Sequence, residues 1–221
     1  MQPASLPDPE WIIDADPVDY PQALAWMEER AAAVADGEAR EAVRFLEHPP
    51  LYTAGTSADP SELRDPHFPV FVAGRGGRYT YHGPGQCVVY SVIDLNSRGR
   101  DVRGFVHALE GWMIRVLARL GVAARRAPGR IGIWANDPQL GEAKIGAIGV
   151  RVRRWVTLHG FAINVDPNLA DFAGIVPCGI AEFGVTSVAR MGGEATRAAC
   201  ERAVQVELVS FLDDLKLKQS A

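Results

Sequence analysis

An α+β domain is what this sequence predicts, with short strands and amphipathic helices packed around one core over residues 1–221. Three observations carry that expectation. The chain has 221 residues of which 48% are apolar, enough for a sizeable core, and no long polar linker divides it. One helical repeat is unmistakable: Val102, Phe105, Val106, Leu109, Trp112, Met113, Val116, Leu117 and Leu120 recur at three-four spacing, behind a potential Asp101 cap and before Gly121. Around it lie short β-prone runs punctuated by glycine and proline.

Taken in order, Trp11-Ile12-Ile13 reads as a strand, and residues 17–36 as a helix with Leu24, Met27 and Val34 on one side and Gly37 as its stop. Residues 42–47 form a strand that delivers His48-Pro49-Pro50, where two prolines enforce an extended exit, and a turn with Gly55 follows. A polar loop over 56–68 precedes a strand at Val70-Phe71-Val72. Residues 79–82 and 87–93 then read as a hairpin-like pair leading into the core. Beyond the long helix come a strand at 131–134, a glycine-punctuated strand over 141–149 carrying Lys144, a strand at 155–158, and residues 161–165 as neighbour of the Lys144 strand. A last helix starts at Glu194, with Ala199, Ala203, Val206, Val209 and Leu212 on one face.

Charge and composition exclude several roles. A formal net charge of -4 lacks the basic footprint of a nucleic-acid binder. No stretch approaches a membrane span, and the proline- and acid-bearing start is unlike a signal peptide, so a cytoplasmic protein is expected. Three cysteines, Cys87, Cys178 and Cys200, do not suggest a disulfide framework, and no cysteine or histidine pair has metal-ligand spacing, so neither metal nor cofactor is expected. His48 alone reads as a hydrogen-bonded structural residue and His107 as a solvated one. The arginines at 125, 126 and 130 and at 151, 153 and 154 read either as a solvated rim or as a docking surface for acidic partners.

The densest chemistry lies in Arg75-Gly76-Gly77-Arg78-Tyr79-Thr80-Tyr81-His82-Gly83-Pro84-Gly85-Gln86. Glycines bring backbone amides close to a guest, while Gly83-Pro84-Gly85 makes a rigid corner. Glycines alone fit an ordinary surface hairpin, but that does not account for Arg75, His82 and Gln86 together. Small residues at Gly146, Ala147, Gly149, Gly160 and Ala162 leave open space beside them. Of the cysteines, Cys87 sits in a continuous strand and Cys200 on an apolar face with Val204, Leu208 and Phe211, so both read as inert buried thiols. Cys178, between Pro177 and Gly179, is either a presented nucleophile or a plain loop cysteine.

The motif R-G-G-x-x-T-Y-H-x-x-G-Q resembles the signature of the octanoyltransferases of lipoate biosynthesis. Further matches lie at 46–55, at Lys144-Ile145-Gly146-Ala147-Ile148-Gly149, at His159-Gly160-Phe161-Ala162-Ile163-Asn164 and at Pro177-Cys178-Gly179-Ile180, so the resemblance covers most of the chain from Arg44 to Gly193. It implies the biotin/lipoate protein ligase catalytic fold, a mixed, largely antiparallel sheet with packed helices. It also implies Cys178 as acyl-accepting nucleophile, Lys144 as the lysine that perturbs it, and substrate contacts from Arg75 to His82, from Ala147, Ile148 and Gly149, and from Gly160, Phe161 and Ala162. Octanoyl-acyl carrier protein as donor is implied too, as are acceptor lipoyl domains of 2-oxoacid dehydrogenase complexes and the glycine cleavage H protein; both donor and acceptor are acidic, which favours the docking reading of the arginines.

The implied reaction suits the residue types. A thioester donor is already activated, so no ATP is needed to move its acyl group to a thiol. A cysteine of pKa about 8.5 is only a few per cent thiolate at pH 7, and an ammonium beside it corrects that. Seven carbons beyond the carbonyl, at ~0.8 kcal/mol each, supply ~5 kcal/mol of binding in an apolar slot. Two rivals are an ATP-dependent lipoate-protein ligase and a non-catalytic octanoate- or lipoate-binding module. The first resembles G-G-G-x-V-x-H-D where this chain has Gly83-Pro84-Gly85-Gln86 after His82, and lacks the cysteine; the second has no use for Lys144 and Cys178 together.

Overall fold

The computed structural model describes residues 8–176 and 183–217. Its larger sheet runs β1 (Glu10–Ile13), β2 (Ala42–Leu46), β6 (Gln86–Val92), β10 (Val156–Asn164), β9 (Gly141–Arg153), β8 (Arg130–Asp137) and β7 (Ala124–Ala127), with β11 (Gly184–Val185) also paired to β9. A smaller sheet has the order β4 (Val70–Val72), β3 (Leu51–Ala54) and β5 (Tyr79–His82). Pairing is antiparallel except for β1–β2, β3–β4 and β9–β11, which is the expected mixed, largely antiparallel α+β architecture.

Two helices cover one face of the large sheet. In α2 (Val102–Arg119), Asp101 accepts from the Gly104 amide at 2.8 Å, and Phe105, Leu109, Trp112, Met113, Val116 and Leu117 are buried, as the periodicity requires. Trp112 stacks on Phe211 of α3 (Arg197–Leu217) at 4.6 Å, meets Phe161 of the sheet edge-on at 5.2 Å, and donates its indole N–H to the Val204 carbonyl at 3.0 Å. Each such aromatic contributes about 0.5–1.5 kcal/mol beyond its buried area. On the opposite face, α1 (Tyr20–Ala35) lays Ala23, Met27, Ala31 and Val34 on Leu46, Val88, Tyr90, Val92 and Leu158.

Several expectations change. The first helix begins at Tyr20, not at 17, because the Val18 amide is tied to the Glu47 carbonyl at 2.9 Å and Asp19 is extended. Leu51–Ala54, read only as an extended exit from the prolines and not as a strand, is a buried strand at the centre of the small sheet. Residues 79–82 and 87–93 are not a hairpin: β5 pairs with β3 and β6 with β2 and β10, so the Gly83-Pro84-Gly85 corner carries the chain from one sheet to the other. In α3, Val206 and Val209 are exposed; the buried side runs through Cys200, Val204, Phe211 and Leu215, because α3 packs on α2 along that stripe. Residues 154 and 155 form a two-residue turn with φ of 52° and 64°, the geometry that joins β9 tightly to β10.

The arginine clusters are largely neutralised from within. Arg125 and Arg130 both bond Glu142, Arg126 bonds Glu110 at 2.8 Å, Arg151 bonds Glu28 at 3.0 Å and Arg154 bonds Asp36 at 2.6 Å. Arg125 and Arg126 belong to β7, Arg130 to β8 and Arg151 and Arg153 to β9, and Arg125, Arg126, Arg153 and Arg154 remain partly exposed.

Candidate active site

The glycine-rich stretch, the Lys144 strand and β10 converge on one cavity of about 550 Å³. Arg75, Gly76, Gly77, Arg78, Thr80 and His82 line it from the clamp, Lys144, Ala147, Ile148 and Gly149 from β9, and Gly160, Phe161 and Ala162 from β10. Their meeting follows from register. Ala147 lies opposite Ala162 and Gly149 opposite Gly160, while the Gly76 amide donates to the Val150 carbonyl at 3.0 Å and docks the clamp on the edge of β9 that β8 no longer covers.

Tyr79 and Tyr81 are the exceptions among the expected contact residues. A strand alternates faces, so while Thr80 and His82 face the cavity, both tyrosines turn into a separate cluster with Tyr52 and Phe172, and Tyr81 donates to Asp171 at 2.8 Å. The space expected beside three glycines is also occupied. A side chain at Gly146 would strike Met113, one at Gly160 the Val89 carbonyl, and one at Gly149 would lie 2.7 Å from Arg75 Cδ. Gly149 and Gly160 meet the cavity along their backbone, beside Ala147 and Ala162.

Lys144 is buried, with its ammonium nitrogen 5.8 Å from the centre of the Trp134 ring. A β-bulge puts it there: Ile133 pairs with Gly146 but Trp134 with Lys144, so Ile145 is the extra residue. Lys144 and Ala147 are an odd number of residues apart, and the bulge is what lets both face the same cavity. Cys178 lies outside the described residues. Of the described residues on either side of it, the Val176 amide donates to the Glu62 carbonyl at 2.8 Å, Phe183 meets Trp134 edge-on at 5.4 Å, and Val185 pairs with Lys144. Cys87 and Cys200 are buried as expected, and Cys200 beside it together with burial pushes the Cys87 thiol up, the wrong direction for a nucleophile.

A chain of amides fixes His82. The Thr186 carbonyl can only accept, so Asn164 Nδ2 donates to it at 3.0 Å; Asn164 Oδ1 then accepts from Gln86 Nε2 at 2.9 Å, and Gln86 Oε1 must accept from His82 Nδ1 at 2.6 Å. His82 therefore carries its proton on Nδ1. The same chain ends beside Lys144, whose carbonyl accepts from the Thr186 amide at 2.9 Å.

Sequence reasoning missed other lining groups. Tyr20, Val88, Tyr90 and His159 add to the wall. Tyr20 Oη lies 3.2 Å from His159 Nε2, and His48, correctly read as structural, links the Val18 carbonyl at 2.5 Å to the Tyr90 hydroxyl at 2.6 Å. Burial, aided by His48 and then Arg75, holds His82 well below its usual range; burial with Arg75 lowers His159 to about 3, and burial lowers His48 to about 4. All three are neutral at pH 7. His159 is held at φ 64° within β10, a conformation costly for a residue with a side chain. No periodicity announces that, although its place next to Gly160 in the His159-Gly160-Phe161-Ala162 run was a usable signal.

Among the described residues no cluster of three or more His, Cys, Asp or Glu side chains is arranged to hold a metal, and no helix is long and apolar enough to cross a membrane. Residues 19–209 match the lipoyl protein ligase A/B catalytic domain. The chain is 63% identical over 212 residues to the octanoyltransferase of Sphingopyxis alaskensis, covering 96% of this chain and 98% of that one. It is 61% identical over 195 residues to the octanoyltransferase of Novosphingobium aromaticivorans, covering 88% of each. In structure it is similar to a putative lipoate protein ligase from T. acidophilum with bound lipoic acid, with a TM-score of 0.73 at 16% identity over 93% of this chain and 86% of that one, a likeness of fold alone. The chain belongs to the lipoyl protein ligase A/B catalytic domain family and, within it, to the octanoyltransferases of lipoate biosynthesis.

Proposed function

We propose that octanoyl passes from acyl carrier protein to the thiol of Cys178 and from there to the lysine ε-amine of a lipoyl domain, with Lys144 moving the protons. The observation that carries this reading is the burial of Lys144 on the wall of a cavity that falls in the ~300–1,000 Å³ range of small-molecule sites. Ala147, Ala162, Val88 and Phe161 give the acyl chain apolar wall.

In the first half-reaction the Cys178 thiolate attacks the thioester carbonyl, and the carbon–sulfur bond to the carrier breaks. The carrier thiolate leaves with a proton from Lys144, which becomes a neutral amine. In the second, the substrate amine attacks the Cys178 thioester and gives its proton to Lys144, while the Cys178 thiolate departs and an amide remains. Thiolate and ammonium are restored, so one turnover balances without ATP. A substrate lysine of pKa near 10.4 is an ammonium at pH 7; it gives its first proton to solvent, at a cost of about 4.6 kcal/mol, and the neutral Lys144 takes the second as the amide forms.

Incubation with octanoyl-acyl carrier protein in the absence of ATP should add one octanoyl mass to Cys178, and Cys178→Ser should abolish turnover. Cys87→Ser and Cys200→Ser should keep it in folded protein. A requirement for ATP would restore the ligase reading, and absence of any covalent adduct the binding-module reading.

A further inference from the structure

On the reading that Lys144 moves protons, the structure assigns a positioning residue to it. We propose that Gly132 sets the place of the Lys144 ammonium, because the lysine's end occupies the space that any side chain at 132 would need. A methyl group on Gly132 would lie 2.9 Å from Lys144 Nζ, closer still to Cε, and 2.7 Å from the Gly146 carbonyl oxygen. All three distances are below any ordinary carbon contact; Gly146 is held in the β8–β9 ladder opposite Ile133, so the flexible end of Lys144 is what must give way. Gly132 also has φ of 102°, which disfavours every residue with a Cβ.

The surroundings explain why the berth matters. Arg130, Gly132 and Trp134 alternate onto one face of β8. Trp134 offers its ring to the ammonium at 5.8 Å, and Arg130 lies 4.4 Å over Trp134 and 4.2 Å over Phe183. Two large side chains thus flank one missing side chain, and the bulge at Ile145 aims the lysine into that opening. Proton transfer needs the amine within hydrogen-bond reach of the sulfur and of the incoming nitrogen, so a shift of about 1 Å in Nζ reaches both half-reactions.

The test is a double-mutant cycle on single-turnover rates of the two half-reactions. Gly132→Ala should slow each step by tenfold or more with the protein still folded. In the Lys144→Ala background the same change should cost less than twofold, since no amine remains to displace. Equal losses in the two backgrounds, or a Gly132→Ala enzyme within twofold of the parent, would overturn the proposal. A fully active Lys144→Ala would instead bring down the reading it rests on, a separate outcome. Should Gly132→Ala fail to fold, rescue of Lys144→Ala by added amines decides: ethylamine should restore turnover at least tenfold better than tert-butylamine, because the berth beside Gly132 is narrow. Equal rescue by the two, or none, would overturn it.

Discussion

Replacing Ala147 by leucine puts three more carbons into the cavity from β9, directly across the ladder from Ala162, where both residues form the wall. If the acyl chain runs along that wall, those carbons take the room of about three methylenes. At ~0.8 kcal/mol per buried methylene the octanoyl chain loses about 2.4 kcal/mol relative to a chain three carbons shorter. With 1.4 kcal/mol per factor of ten, the preference shifts about 50-fold. The assay offers octanoyl- and pentanoyl-carrier protein at equal concentration and reads the two acyl-enzyme masses after a brief reaction. The ratio of octanoyl to pentanoyl adduct should fall about 50-fold in Ala147→Leu, with thermal unfolding close to that of the parent because Ala147 is only half-buried. A ratio within about twofold of the parent, in folded protein, would refute the reasoning and move the chain to another wall.

Lys144→Ala should slow acylation of Cys178 at pH 7, with partial recovery toward pH 9 as the thiol ionises unaided, and should slow transfer from a preformed acyl-enzyme; rapid-quench rates of each step check this, and a normal second step would confine Lys144 to the thiol. Gln86→Leu strips the partner from His82 Nδ1 and from Asn164 Oδ1, each loss costing about 1–3 kcal/mol, and should lower the unfolding free energy in urea and turnover together. Asp137 is held at about 2 against an ordinary 3.8: burial works against ionisation, and bonds from Thr186, the Gln139 and Leu140 amides and Arg190 outweigh it. Because its folded value is depressed, this support is complete above about pH 4 and is lost as pH falls toward 2, so Asp137→Asn should be less stable at pH 7 and show a shallower decline between pH 4 and 2 in chemical denaturation; parallel curves would count against it.

What was legible in the sequence had a strong period or a rare composition. The long helix was read residue by residue because nine apolar positions agree on one stripe. The clamp stood out because glycines beside Arg75, His82 and Gln86 have no simple scaffold role. Leu51–Ala54 escaped as a strand because one buried on both faces shows no alternation, and the prolines before it announced only an extended path. Val206 and Val209 misled because helical spacing says which residues share a face, not which face a neighbouring helix covers. The cavity's remaining wall was illegible for a different reason: Tyr20, Tyr90 and His159 come from a helix start and two strands, and their meeting is a fact of register.

Arg75 has a consequence of another kind. Its guanidinium donates to the Gly76 and Arg78 carbonyls at 3.0 and 3.1 Å and to the carbonyl and hydroxyl of Thr53 at 3.1 and 2.6 Å, so one side chain pins a glycine-rich loop to the neighbouring strand. A loop with Gly74, Gly76 and Gly77 would otherwise lose much freedom on meeting a guest, roughly 1–2 kcal/mol for each residue fixed. Here that freedom is surrendered when the chain folds. The acyl chain meets a mould already set, and its binding energy remains for the chemistry it has to position.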